Sequence, residues 1–244
     1  MNILISAGGT RERIDSVRSI ANTATGRLGS LIAACFDAIP ETERIFYVCA
    51  PNAPLPESAK AEITAVENTA GLETAVRDLL GRNRVDAIIH SMAVSDYRVR
   101  AVTTPARIAE IAANASVIEA IDSAPSLGQD AKISSDENRL VIVLEPTPKI
   151  ISLFQTLAPR ALLVGFKLLD NVSHETLLDA ARRLLEKNRC AFVAANDARD
   201  IHGDTHIAWL LDKNGRIQRF GDKHTIARGI TEAVVALLKE RNAE

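Results

Sequence analysis

Apolar residues in this chain gather in two alternating kinds of segment. Unbroken runs at 3–6, 44–49, 86–90, 140–144, 161–166 and 190–195 lack a polar alternate. They predict strands, with 3–6 and 161–166 buried, and 62–66 predicts another short one. Segments 29–39, 70–82, 150–157, 174–187 and 225–239 carry apolar positions at helical spacing, as with Leu72, Ala75, Val76, Leu79 and Leu80. Ser173 is placed to cap the helix 174–187, with Glu175 in the first turn, where the dipole favours a negative charge. Strand and helix in alternation predict an α/β fold of parallel βαβ units with right-handed crossovers. The tail reads differently. Ile207, Trp209 and Leu211 answer Ile217 and Phe220 across Asn214-Gly215, which predicts a C-terminal β-hairpin with a type I′ turn.

The rhythm fails between residues 98 and 131, where small residues, scattered charges, Pro105 and Pro125 surround an alanine-rich segment, 107–121, that reads as a loose helix. This stretch is expected to be a flap inserted into a single domain spanning 1–244. A chain of 244 residues suffices for one large α/β core. A net charge of −2, from 29 basic and 31 acidic side chains, argues against an extended nucleic-acid or membrane footprint. Cys35, Cys49 and Cys190 stand apart in apolar surroundings and read as buried thiols, not disulfides or metal ligands. Met1 leads straight into a strand without a signal-peptide pattern, and no apolar run reaches membrane-spanning length. The expectation is a soluble, cytoplasmic protein.

Candidate chemistry concentrates at residues 6–29, where the first strand meets Gly8-Gly9-Thr10 and then a long polar connection carrying Arg11, Arg13, Arg18 and Asn22. Glycines at such a turn let backbone N–H groups approach a phosphate, although they also serve packing alone. Ligands of an open parallel sheet bind beyond the carboxyl ends of its strands. Those ends are 6–9, 90–96, 146–149, 165–167 and 196–197, and they collect the polar and glycine residues. His90 reads more readily as a hydrogen-bonded structural histidine than as a catalyst, and Asp96 as a ligand contact or a turn cap. Lys132 reads equally as a surface lysine. Arg183 and Lys187, four apart, share a helix face that suits phosphate or water. No Ser-His-Asp order, Cys-His pairing or metal-ligand spacing stands out. What remains is amides, glycine-lined backbone and cations, an inventory for chemistry on a nucleotide phosphate.

The segments SAGGTRERIDSVRSIANTATG, HSMAVSDY, KISSD, VGFKLL and EKNRCAFVAAND resemble, in order, phosphopantothenate–cysteine ligase, also called phosphopantothenoylcysteine synthetase, in its stand-alone bacterial form. The resemblance implies a Rossmann-like, doubly wound, mostly parallel sheet in a homodimer that uses CTP and Mg²⁺, with metal ligands unassigned. It implies that 4′-phosphopantothenate attacks CTP to give an acyl-cytidylate and pyrophosphate, and that L-cysteine then displaces CMP. Under the resemblance Asn22 holds the acyl-nucleotide, Lys132 lies over the triphosphate from the flap, and Arg18 reaches the partner's substrate phosphate. Met92, Ala93 and Asp96 meet pantothenate and nucleotide, and Gly8, Gly9 and Thr10 line the nucleotide. Pro148, Lys149, Ile150 and Ile151 read cytosine, Phe166 contacts the nucleotide, and Arg183 and Lys187 bind phosphate. A separate decarboxylase chain is an expected partner. The chain departs from the pattern at Ala24-Thr25-Gly26, where many members have Ser-Ser-Gly, and at Thr147-Pro148-Lys149, where others have Asn-Pro-Asp. It departs again at Gly165-Phe166-Lys167-Leu168 and at Arg183, which stands for lysine. Two other readings share the fold. An NAD(P)-dependent oxidoreductase prefers GxGxxG and Tyr-x-x-x-Lys, but Ala101 stands four after Tyr97. A non-catalytic nucleotide-binding module needs no turnover.

Overall fold

The computed structural model describes residues 1–128, 131–202 and 205–243. In chain order these form β1 (Asn2–Ala7), β2 (Arg11–Arg13), β3 (Ser19–Ala21), α1 (Arg27–Asp37), β4 (Arg44–Cys49), β5 (Ala61–Ala65), α2 (Thr69–Arg82) and β6 (Ala87–His90). Next come β7 (Tyr97–Thr103), α3 (Pro105–Ala112), α4 (Val117–Ser123), β8 (Val141–Pro146), α5 (Ile150–Leu157), β9 (Leu162–Leu169) and α6 (His174–Lys187). The chain closes with β10 (Phe192–Asp197), a short 3-10 turn, β11 (Ile201–His202), β12 (Thr205–Asp212), β13 (Ile217–Asp222) and α7 (Lys223–Ala243).

The main sheet runs β11-β12-β10-β9-β6-β1-β4-β5, with β13 beside β12. From β5 to β10 every pairing is parallel, and β12 is antiparallel to β10. The unbroken apolar runs are explained by helices on both faces. Ile3, Ile5 and Tyr47 meet Phe36 of α1 and Ile230 of α7, while Leu4, Phe46 and Ile88 meet Leu72 of α2, Phe154 of α5 and Leu178 of α6. A central strand therefore has no solvent face on which a polar residue would be tolerated. The expected doubly wound, mostly parallel sheet is what the chain forms. Ser173 caps α6 by accepting the Thr176 N–H at 3.1 Å.

Three local expectations are corrected. The run at 140–144 is a strand, but it pairs only with β7, as a two-stranded antiparallel ribbon outside the main sheet. Its residues alternate between half-buried and exposed, which an unbroken run of apolar side chains cannot announce. The ribbon joins Tyr97 to Pro146, so the excursion extends past the expected flap, whose residues 129 and 130 lie outside the described ones. In place of one loose helix over 107–121 there are two, α3 and α4. Ser116 begins the second with a capping box, accepting the Glu119 N–H at 3.2 Å while the Glu119 carboxylate accepts the Ser116 N–H at 2.8 Å. Finally, the β12–β13 turn is not type I′, because of its central residues only Gly215 has a positive φ, 81°. The Gly215 N–H donates to the Asp212 carbonyl at 3.2 Å and the Asp212 carboxylate accepts the Asn214 N–H at 2.8 Å. A turn over 212–215 closed by a left-handed glycine is the next commonest hairpin solution.

Candidate active site

Because β1 lies directly beside β6, the polypeptide leaving each strand meets the other beyond the sheet. The Ala93 N–H donates to the Gly8 carbonyl at 2.8 Å and the Thr10 N–H donates to the Ala93 carbonyl at 3.0 Å, so that Gly9 and Ala93 form a parallel bridge. The Thr10 hydroxyl accepts the Ser95 N–H at 2.8 Å and donates to the Ser95 hydroxyl at 3.0 Å. Asn22, just past β3, donates its side-chain amide to the Ala93 carbonyl at 3.1 Å. A Cβ on Gly9 would stand 2.6 Å from the Asn22 carbonyl oxygen, so glycine is what admits Asn22 to this position.

Beside this junction opens a cleft of about 190 Å³. His90, Met92 and Asp96 line it from the end of β6, Thr147 to Ile151 from the start of α5, Phe166 from β9 and Leu184 from α6. Thr147 is tied to the β6 side, its N–H donating to the Asp96 carbonyl at 3.0 Å and its hydroxyl to the Ser95 carbonyl. Lys149 reaches across and pairs with the Asp96 carboxylate at the exposed rim. The walls are mostly apolar, with a charged rim, as small-molecule sites usually are. His90 is buried, its Nδ1 2.7 Å from the Ser6 hydroxyl and its ring edge-on to Phe154 at 5.1 Å. Burial pushes its pKa down to about 4, so the imidazole is neutral near pH 7.

A second cluster joins the β2–β3 hairpin to the flap. Asp15, 1% exposed, accepts the N–H groups of Val17 at 2.9 Å and Arg18 at 2.8 Å on one oxygen. Its other oxygen accepts Arg18 Nε at 2.9 Å and the Ile133 N–H at 3.2 Å. Arg18 completes the loop by donating to the Ile133 carbonyl at 2.7 Å. Burial of Asp15 works to raise its pKa, but the three backbone donors and the Arg18 charge outweigh it and hold the carboxyl below its ordinary value. Arg13 is engaged as well, paired with Glu67 at 2.7 Å.

The family model of the DNA/pantothenate metabolism flavoprotein C-terminal domain matches residues 1–110 and 106–238. The chain belongs to this family. Over 214 residues, 87% of the chain, it is 32% identical to the coenzyme A biosynthesis bifunctional protein CoaBC of Thermococcus kodakarensis. Over 97% of the chain it is 25% identical to the CoaBC protein of Methanocaldococcus jannaschii. Those matches cover 45% and 51% of the relatives, so the chain spans about half their length. The crystal structure of the DNA/pantothenate metabolism flavoprotein from Streptococcus pneumoniae superposes with a TM-score of 0.84 at 36% identity, covering 97% of this chain and 99% of that one. A Cab2 variant in complex with phosphopantothenate-cysteine shares the fold, with a TM-score of 0.71 at 17% identity, over 99% of this chain and 87% of that one.

Within this flavoprotein-family domain the expected site residues fall into four groups. Met92, Asp96, Pro148, Lys149, Ile150, Ile151 and Phe166 line one cleft. Gly8, Thr10, Asn22 and Ala93 are joined by the hydrogen bonds next to it, with Gly9 bridged to Ala93. Arg18 and Lys132 lie outside the cleft, Arg18 clasped to Ile133 and Lys132 exposed one residue before it. Arg183 and Lys187 are exposed on α6, flanking the turn that sends Leu184 into the cleft wall. Sequence reasoning gave no role to Asp15 or Leu184, and placed Ser6 and Thr147 only as members of strand ends. Only Asp15 left a local signal, since Asp-Ser-Val-Arg is a turn in which an aspartate accepts N–H groups two and three residues on. Among the described residues no group of three or more His, Cys, Asp or Glu side chains is disposed to hold a metal ion. Asp96, a carboxylate on the cleft rim, fits a Mg²⁺ ion that is carried mainly by substrate phosphates.

Proposed function

We propose that this chain is a phosphopantothenate–cysteine ligase of coenzyme A biosynthesis, acting through an acyl-cytidylate. The observation that carries this reading is the junction of Asn22, Thr10 and Ala93 beside an apolar cleft rimmed by Asp96 and Lys149. It offers a slot for a planar base and, next to it, oriented amides for an acyl phosphate. Membership of the family and the names of its CoaBC and Cab2 relatives support the same reading.

In this mechanism Pro148, Ile150, Ile151 and Phe166 enclose the cytosine of CTP, and Asp96 meets the nucleotide from the rim. The turn at Gly8, Gly9 and Thr10 lies along the nucleotide. The carboxylate of 4′-phosphopantothenate attacks the α-phosphate and pyrophosphate leaves. Bringing these two anions together is chiefly a matter of positioning and charge screening, which the chain supplies through Lys132 from the flap and Arg183 and Lys187 from α6. Mg²⁺, held by the triphosphate with Asp96, would neutralise further charge there. The Asn22 amide then holds the mixed anhydride while the amine of L-cysteine attacks its carbonyl carbon, forming the amide and releasing CMP. In a homodimer Arg18 exchanges its clasp on Ile133 for the substrate phosphate bound by the partner. The bifunctional relatives make a decarboxylase the natural neighbour in the reaction sequence, in the cytoplasm. No helix among the described residues is long and apolar enough to cross a membrane.

The test is pyrophosphate release on mixing the protein with CTP, Mg²⁺, 4′-phosphopantothenate and L-cysteine. Release that requires 4′-phosphopantothenate, with the cysteine conjugate as product, supports the ligase. Binding of CTP without turnover would instead assign a nucleotide-binding module.

A further inference from the structure

The tautomer of His90 is assigned from the hydrogen bonds around it. Ser6 is fully buried, and its hydroxyl oxygen has two partners among the described residues, the Met92 N–H at 3.3 Å and His90 Nδ1 at 2.7 Å. A backbone N–H only donates, so the hydroxyl proton has one acceptor in reach, which is Nδ1. Nδ1 therefore accepts, and a neutral ring must carry its hydrogen on Nε2. The edge contact with Phe154 and the bond to Ser6 together fix the ring plane.

Nε2 itself makes no hydrogen bond among the described residues. Nor is it sealed in. Among the described residues the enclosed, unpaired side-chain polar atoms are Asn2 Oδ1, Thr42 Oγ1, Thr103 Oγ1 and His206 Nδ1, and His90 Nε2 is not one of them. His90 lines the cleft, between the ends of β1 and β9, where it stands in register with Ser6 and Gly165. His90 thus stands in the lining of a slot whose apolar residues, Phe166, Ile150, Ile151 and Leu184, carry no side-chain acceptor, while the Asp96 carboxylate is paired with Lys149 at the rim.

Resting on the ligase reading, we propose that His90 is a base-reading residue, donating its Nε2–H to N3 of the bound cytosine. A buried donor left unpaired is costly, so a ligand that presents an acceptor there is favoured and one that presents another donor is disfavoured. Uracil carries N3–H at the position where cytosine carries a lone pair, so the same donor that welcomes CTP discriminates against UTP.

Calorimetric titration of CTP and UTP into wild type, His90→Phe and Ser6→Ala tests this. The Phe ring preserves the packing on Phe154 and removes the donor. The expected result is that wild type prefers CTP, that His90→Phe weakens CTP about tenfold, one lost hydrogen bond, and that its CTP-to-UTP preference falls towards unity. Ser6→Ala, which releases the tautomer without emptying the site, should lose less. The ¹⁵N spectrum of histidine-labelled wild type should show His90 protonated at Nε2, with that signal moving on addition of CTP and not of L-cysteine. A ring protonated at Nδ1 would overturn the assignment, even if the Phe variant failed to fold. So would a His90→Phe protein that binds CTP as wild type does, and that result would leave the ligase reading standing. A wild type that binds neither nucleotide would overturn both.

Discussion

The Asp15 carboxylate accepts the N–H of Ile133, a residue 118 positions further along the chain, at 3.2 Å. Through this bond and the Arg18 guanidinium on the Ile133 carbonyl, the loop after the first strand is clasped to the flap. Asp15→Asn keeps the shape but removes the charge. Amide hydrogen exchange at Ile133 should quicken and the melting temperature should fall. The sign with pH follows from the depressed carboxyl pKa: the stabilisation is complete above the unfolded value of about 4 and is lost as pH falls through the lower folded value. Wild type and variant should therefore differ most near neutrality and converge in acid, as followed by denaturant melts at several pH values.

His90 titrates in the same sense, in a higher pH window. Its folded pKa of about 4 lies below the unfolded value of about 6.5, so the unfolded chain takes up the proton first and stability declines as pH drops between those values. The full effect is on the order of 3 kcal/mol. Replacing His90 by Phe should flatten the pH dependence of stability over this window. An equally steep profile in the variant would mean that the histidine is not buried neutral.

Gly9→Ala should separate stability from activity. The new methyl meets the Asn22 carbonyl at 2.6 Å and must push that segment away from Ala93. A displacement of this size at an activated intermediate is worth on the order of 100-fold in turnover. Circular dichroism should show the fold retained.

Asn22→Ala should still consume CTP but form product more slowly, by on the order of 100-fold. Lys132→Ala should instead slow pyrophosphate release itself. Single-turnover measurements of the two half-reactions distinguish the two variants.

Lys149 and Asp96 form an exposed ion pair, and such pairs contribute no more than about 1 kcal/mol. Lys149→Met should accordingly leave the melting temperature nearly unchanged while altering the KM for nucleotide. In wild type, added salt should shift that KM in the direction the variant does.

What the sequence made legible follows the range of its forces. Ile3, Leu4 and Ile5 announced a strand with no solvent face, and both cores confirm it. Ser173 announced the start of α6 because a cap is a bond between neighbours. The ribbon of β7 and β8 was hidden because Val141, Ile142, Val143 and Leu144 carry the same side chains whether the strand joins a sheet or one partner. The cleft residues at 92–96, 148–151 and 166 were legible as strand ends or as part of a resemblance. The bonds from Ser6 to His90 and from Asp15 to Ile133 were not, since they depend on which strands become neighbours and no local pattern records that.

Tyr97 and Pro146 are cross-strand partners, and the residues just outside them, Asp96 and Thr147, already belong to the cleft. The excursion is thus pinched shut at its base, like a handle soldered to a vessel at both ends. Whatever lengthening or shortening occurs further out leaves the rim where it was. This part of the molecule is free to diverge among related chains while the vessel keeps its shape.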